Sequence, residues 1–161
     1  MNEVLKDKLE ELEKYVFELE DKVPQDREDY LKDRDKQLIC ERLFEIIIEA
    51  TIDIIFIFIH EKKLSTPEDD ENALEVLKDK NFISKDLCTR LREARRMRNI
   101  IAHKYGRINA SIVFDSISQE IPRDVKEIMS VIRNNLKWFW KRWTDIVFNK
   151  IVLKEIIFIR R

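Results

Sequence analysis

Leu43-Phe44-Glu45-Ile46-Ile47-Ile48-Glu49-Ala50-Thr51-Ile52-Asp53-Ile54-Ile55-Phe56-Ile57-Phe58-Ile59 is the most apolar run of the chain. Its acids, Glu45, Glu49 and Asp53, recur every four residues. Positions four apart lie one above another on a helix, so the run reads as a helix with one polar stripe and apolar surface around most of the rest. A bilayer does not suit it. The run falls short of the roughly 20 residues a span requires, and one buried acid costs about 2.5–3.5 kcal/mol even on a lenient scale. It is expected to be the core of a helix from about Asp29 to His60, central to a bundle or also supplying a subunit interface. Glu41 extends the stripe. Such acids are ordinarily solvated or ion-paired, and here they can also face a basic helix.

Working outward, Leu5, Leu9, Leu12, Val16, Leu19 and Val23 alternate spacings of four and three, which predicts an N-terminal helix with a narrow apolar seam, ended by Pro24. The seam fits either packing within the bundle or a coiled-coil contact with another subunit. Downstream, Thr66-Pro67-Glu68-Asp69 reads as a helix start with Thr66 as cap and Asp69 as the acid of a capping box, leading into a short helix through Leu77. Asn81-Phe82-Ile83 reads as a turn and Ser84 as the next cap. The following helix carries Leu87, Leu91, Ala94, Met97 or Arg98, and Ile101 inward and is expected to stop near Lys104, ahead of Gly106, the single glycine. Further helices are expected from about Asn109 to Glu120 and from Pro122 onward. Residues 144–161 are read as a C-terminal extension, with a lean to helix.

Composition agrees with an all-α, up-and-down helical bundle. The 161 residues are 44% hydrophobic and 39% charged, with one glycine and three prolines, too few punctuating residues for a sheet protein of many turns. This length fits one domain. Two cysteines without ligand spacing, Cys40 and Cys88, make neither a disulfide framework nor a metal site, and fit a reduced, cytoplasmic compartment. The charged N-terminus carries no signal-peptide pattern.

Net charge is −1, so the chain as a whole does not attract polyanions, but its charges are unevenly placed. Residues 1–35 hold thirteen acids against seven bases. Arg90, Arg92, Arg95, Arg96, Arg98, Lys104 and Arg107 cluster with only Glu93 among them. Arg95, Arg96, Lys104 and Arg107 are the candidates to hold RNA phosphates.

Arg98 and His103 fall inside this basic segment. A guanidinium offers a planar fork matched to phosphate oxygens, and an imidazole exchanges a proton at cellular pH. The pair suffices to cleave RNA without a metal: the base takes the ribose 2′-hydroxyl proton, the oxygen attacks phosphorus, and the arginine stabilises the phosphoryl charge. Five positions on a helix leave the two side chains about 140° apart. Either the helix distorts near Gly106, or two copies of the motif face each other. A capping histidine on a solvated basic helix is the plainer alternative. His60, with no partner of this kind nearby in sequence, reads as structural. No Gly-rich phosphate loop or metal-ligand cluster competes with the pair.

Arg98-Asn99-Ile100-Ile101-Ala102-His103-Lys104-Tyr105-Gly106 resembles the R-x4-H-x-Y motif of HepT-like proteins, the toxin branch of the HEPN superfamily. Glu49-Ala50-Thr51-Ile52-Asp53-Ile54 resembles the core helix of that family, and Leu64-Ser65-Thr66-Pro67 with Phe82-Ile83 its loop and short helix. The resemblance covers roughly Asp33 to Trp143, leaving 1–24 as an added N-terminal helix and 144–161 as the extension of one 1–161 domain. It implies a homodimer that brings two motifs into one cleft. It implies a type II toxin with metal-independent endoribonuclease activity and no cofactor, Arg98 and His103 being catalytic. It further implies a minimal nucleotidyltransferase antitoxin that attaches AMP to the motif tyrosine, here Tyr105. Asn99 is implied to orient the phosphate, with Glu49 and Asp53 as supporting partners. Arg95-Arg96-Met97 departs from the Gly-Phe more usual before the motif. Two other expectations are compatible with the residues: a non-catalytic HEPN module that binds a nucleotide or a nucleotidyltransferase, and a helical adaptor that works through the Leu5–Val23 seam and the apolar tail.

Overall fold

A computed structural model of the chain describes residues 3–103 and 109–136. They form an all-helical bundle: α1 (Glu3–Lys22), α2 (Arg27–Lys32), α3 (Arg34–Glu61), α4 (Asp70–Asp79), α5 (Lys85–His103), α6 (Ala110–Asp115), one π-helical turn (Ser116–Glu120) and α7 (121–136). No strand occurs among the described residues, and no described helix is long and apolar enough to cross a membrane.

α3 is the axis. Leu43, Phe44, Ile47, Ile48, Ile54, Ile55, Phe58 and Ile59 are all buried along it, and α1, α2, α4 and α5 each pack on it. The α1 seam is filled from within the chain, since Leu5, Leu9, Leu12, Val16 and Leu19 are buried and α1 lies along α3. Ion pairs fasten its polar flank to α7, Glu13 to Arg133 at 2.8 Å and Glu20 to Lys126. The Arg133 guanidinium, which donates to Glu13, holds that carboxyl below the usual carboxylate range. Both cysteines are buried, and burial pushes the Cys40 thiol up to about 11.

Three boundaries differ from the sequence reading, each for a capping or backbone reason. The helix expected from Asp29 to His60 is broken at Asp33. Asp33 is extended (φ −109°, ψ 96°) and its carboxylate accepts from the Lys36 N–H, starting α3 anew. Gln37 Nε2 donates to the carbonyls of Tyr30 and Leu31 at 3.0 and 3.1 Å, satisfying acceptors that the break exposes. α4 does not start at Thr66 and Pro67. Asp69 is itself the cap, accepting from Asn72 N–H at 2.8 Å, and Asn72 Oδ1 accepts in return from Glu68 N–H at 3.2 Å. A carboxylate at the cap outcompetes the threonine upstream because it is charged and faces the positive helix end.

Pro122 does not start a separate helix. The chain is helical without interruption from Ala110 through residue 136, with the π turn just before the proline. Pro122 has no N–H, and its ring crowds the carbonyl four residues back. Widening the turn, so that Ile121 N–H donates to Ser116 O, makes room for the ring without ending the helix. The cap expected at Ser84 is present, accepting from the Leu87 N–H at 3.0 Å, and Asn109, expected as the start of the next helix, caps it by accepting from the Ser111 N–H at 3.0 Å. Asn81 takes a positive φ of 57° in the turn before α5, a conformation asparagine tolerates better than most residues. The tail reading, the expected stop at Gly106 and the residues beyond 136 lie outside the described residues.

The α1 seam gives a direct stability test. Leu12→Ala, at a fully buried position, is expected to cost about 2–5 kcal/mol in a urea melt. Phe17→Ala, at a position 71% exposed on the same helix, is expected to stay within about 0.5 kcal/mol. Equal effects from the two would mean that α1 does not pack as described.

Candidate active site

An open cleft of about 340 Å³ lies between α3 and α5. It is lined by Ile48, Glu49, Ile52 and Asp53 from α3, Arg95, Arg98 and Asn99 from α5, and Asp70 from the first turn of α4. The buried Ile48 and Ile52 form its apolar floor. Most of its polar groups come from the faces of α3 and α5 that the core packing turns toward each other, and Asp70 of α4 adds one more.

Arg98 is the centre of the cleft. Its Nη2 pairs with the Glu49 carboxylate across the two helices, and its Nη1 donates to Asn99 Oδ1 at 3.2 Å. Its Nε is buried with no hydrogen-bond acceptor in the described structure. The Nε atoms of Arg90 and Arg92, outside the cleft, are buried in the same way, so it is the Nη groups that Arg98 presents to the cleft. Asn99 is half-buried beside it. His103, the last residue of α5, is exposed and is not among the lining residues. It lies four positions after Asn99, so on the helix it stands one turn further along the Asn99 face. The five-residue spacing to Arg98 keeps the two side chains on different faces, as the sequence geometry requires.

The acidic stripe of α3 is divided among several partners. Glu49 alone meets α5. Glu41 pairs with Arg34 at 3.6 Å and Glu45 with Arg42 at 3.2 Å, and burial lifts the Glu41 carboxyl above its usual range. Asp53, at the cleft edge, pairs with Lys8 of α1 at 3.5 Å. The arginines of α5 are likewise distributed. Arg90 holds the buried Asp124 at 2.6 Å and Glu127 at 2.7 Å on α7, and Arg92 holds Glu75 on α4. Arg95 pairs with Asp70 at 2.7 Å and Glu71 at 3.5 Å, and Arg96 lies 3.9 Å from Glu71. Of the candidate phosphate holders, Arg95 lines the cleft and Arg96 is exposed outside it. Lys104, Arg107 and the candidate tyrosine Tyr105 lie outside the described residues. His60 is exposed in the last turn of α3, eleven residues and so about 16 Å along the helix from Glu49.

Ile48, Ile52 and Asp70 line the cleft although the sequence reading did not place them there, and Asp70 is the polar one among them. The available signal was an acid-rich first helical turn, Asp70 and Glu71, preceding an arginine-rich helix, but only packing tells which arginine each acid meets.

This bundle is the fold of HEPN toxins. A HEPN toxin of Shewanella oneidensis, solved tri-AMPylated in complex with an MNT antitoxin, superposes with a TM-score of 0.76 at 22% identity, over 83% of this chain and 99% of that one. A toxin–antitoxin structure with AMP-PNP gives a TM-score of 0.74, also at 22% identity, covering 82% and 99%. The Ribonuclease HepT-like family model matches residues 5–132, from within α1 to within α7, and the chain belongs to that family. Among curated relatives, the tRNA nuclease HepT of Aphanizomenon flos-aquae is 27% identical over 132 residues, 80% of this chain and 90% of that protein. A putative RNase of Methanocaldococcus jannaschii is 31% identical over 64 residues, 40% and 72% of the respective chains.

The Glu49–Arg98 pair is open to solvent, with side chains 48% and 25% exposed, so screening leaves it worth no more than about 1 kcal/mol. Glu49→Gln is therefore expected to shift the unfolding free energy by at most that amount in a denaturant titration. A loss above about 3 kcal/mol would make the pair a structural tie rather than a device for holding the guanidinium in the cleft.

Proposed function

We propose that this protein is the toxin of a type II toxin–antitoxin pair, a homodimeric endoribonuclease that cleaves RNA by 2′-hydroxyl attack without a metal. The observation that carries the reading is the cleft itself. In a Ribonuclease HepT-like chain, Arg98 and Asn99 line a solvent-open cleft with Glu49 and Arg95, and a histidine stands one turn beyond Asn99. The curated tRNA nuclease relative supports it by its name.

In this mechanism His103 withdraws the ribose 2′-hydroxyl proton and the 2′-oxygen attacks the adjacent phosphorus. The bond to the 5′-oxygen breaks, that oxygen takes up a proton, and the products end in a 2′,3′-cyclic phosphate and a 5′-hydroxyl. Arg98 grips the non-bridging oxygens as their charge grows, Asn99 steadies the guanidinium, and Glu49 and Asp53 flank it. Because Arg98 and His103 stand on different faces of α5, a second copy completes the site and its His103 supplies the proton to the leaving oxygen. The partner is a minimal nucleotidyltransferase antitoxin in the same cytoplasmic compartment. It silences the toxin when the Tyr105 oxygen attacks the α-phosphorus of ATP and pyrophosphate leaves, which puts a phosphodiester charge beside the site. The AMPylated Shewanella toxin, solved with its antitoxin, supports this part of the reading.

A second reading has one observation in its favour: Glu49, Asp53 and Asp70 outnumber the two arginines of the cleft. A HEPN module that binds a nucleotidyltransferase without turnover would tolerate that balance where a phosphate-bearing ligand would not, and it predicts saturable partner binding with no RNA cleavage.

His103→Ala is expected to abolish toxicity on expression and to slow RNA cleavage by about 10²–10⁴-fold. The thermal melt should stay unchanged, because the side chain is exposed. Arg98→Ala should lose about 10²–10³-fold. A His103→Ala protein as toxic as the parent would rule out the enzymatic reading.

A further inference from the structure

Arg95 stands three positions before Arg98, one turn away on the same helix face, with about 5–6 Å between their Cβ atoms. Both line the cleft. That separation suits successive phosphates of one nucleic-acid strand better than two oxygens of a single phosphate. Arg95 Nε donates to Asp70 Oδ2 at 2.7 Å and Nη1 lies 3.5 Å from Glu71, which leaves Nη2 without a protein acceptor among the described residues.

The neighbouring arginine gives a contrast. Arg92 already ties α5 to α4 through Glu75, and the buried Leu74, Leu77, Leu87 and Leu91 belong to the same core. The docking of α4 on α5 does not need a further ion pair inside a solvent-open cleft. Asp70 is fixed there because it follows the cap residue Asp69. It presents a carboxylate where the planar fork of Arg95 would meet a phosphate.

We propose that Arg95 and Asp70 form a second phosphate subsite, one nucleotide away from the scissile phosphate, in which Asp70 is the occupant that RNA displaces. The subsite rests on the ribonuclease reading above and extends it. Side chains 23% and 41% exposed make the Arg95–Asp70 pair a screened one, so exchanging carboxylate for phosphate costs less than about tenfold in affinity. A bidentate phosphate, which also reaches Nη2, offsets that cost. Asp70 thereby lets an arginine sit in the cleft without attracting every passing anion, and it favours strands that carry a phosphate on both sides of a nucleoside.

Two uncleavable probes test the subsite by fluorescence anisotropy on the full chain: a dinucleoside monophosphate and a trinucleoside diphosphate, both with 2′-fluoro sugars. The parent protein should bind the longer probe about tenfold more tightly or better. Arg95→Gln should erase that difference, leave the shorter probe unchanged, and reduce the salt dependence for the longer probe by about 0.7 in log–log slope, one phosphate contact on a single strand. Asp70→Asn, which keeps the helix start intact, should tighten the longer probe several-fold. Equal weakening of both probes by Arg95→Gln would show a structural role and overturn the subsite, as would an unchanged affinity for the longer one. Failure of the parent to distinguish the probes while it still cleaves RNA would sink the subsite alone. Neither binding nor cleavage would sink the ribonuclease reading with it.

Discussion

The contact between Arg98 on α5 and Glu49 on α3 organises the functional face of the molecule. It joins the two helices at the point where their polar stripes meet, over an apolar floor of Ile48 and Ile52. A free arginine on a helix surface samples many rotamers, and ordering it for catalysis costs side-chain entropy at the moment of binding. The pair meets part of that cost in the folded protein. It is also weak enough to yield, because both partners touch solvent, and in the proposed reaction a phosphate takes over the fork while Glu49 returns to water.

The other arginines of α5 work differently although they share one helix. Arg90 and Arg92 hold α7 and α4 in place against buried or half-buried carboxylates. Arg95 and Arg98 face the cleft. A near-neutral chain thus carries a basic helix whose five described arginines are each ion-paired. Under the proposed function, affinity for phosphate within the cleft depends on which carboxylates can be displaced rather than on net charge. The rest of the bundle serves this placement: α1 fills its seam on α3, the α7 ion pairs hold α1, and the π turn before Pro122 keeps one long helix running past α5 without a break.

Much of this was legible in the residues. The period of Leu5 to Leu19, the four-residue repeat of acids in α3, the cap at Ser84, the helix start near Asn109 and the motif from Arg98 to His103 are local patterns, and local patterns decide local structure. Where the sequence misled, two local signals competed or the answer depended on a distant partner. Asp33 and Asp69 outcompeted longer-range periodicity and an upstream threonine because a carboxylate at a helix start satisfies orphan N–H groups. Pro122 looked like a boundary because the wide turn that accommodates it leaves no mark on hydrophobic spacing. The meeting of Glu49 with Arg98 was legible only as a possibility, since the stripe offered four acids and packing chose one. Asp70 was invisible as a cleft residue for the same reason.

The proposed chemistry of the cleft is tested most directly by the ends of any RNA fragments the protein produces. Purified protein incubated with RNA in excess chelator should cleave it, leaving a 2′,3′-cyclic phosphate on one fragment and a 5′-hydroxyl on the other, because the attacking oxygen belongs to the substrate ribose. Products ending in a 3′-hydroxyl and a 5′-phosphate, or cleavage that chelator abolishes, would contradict an imidazole and a guanidinium acting alone on the scissile phosphate.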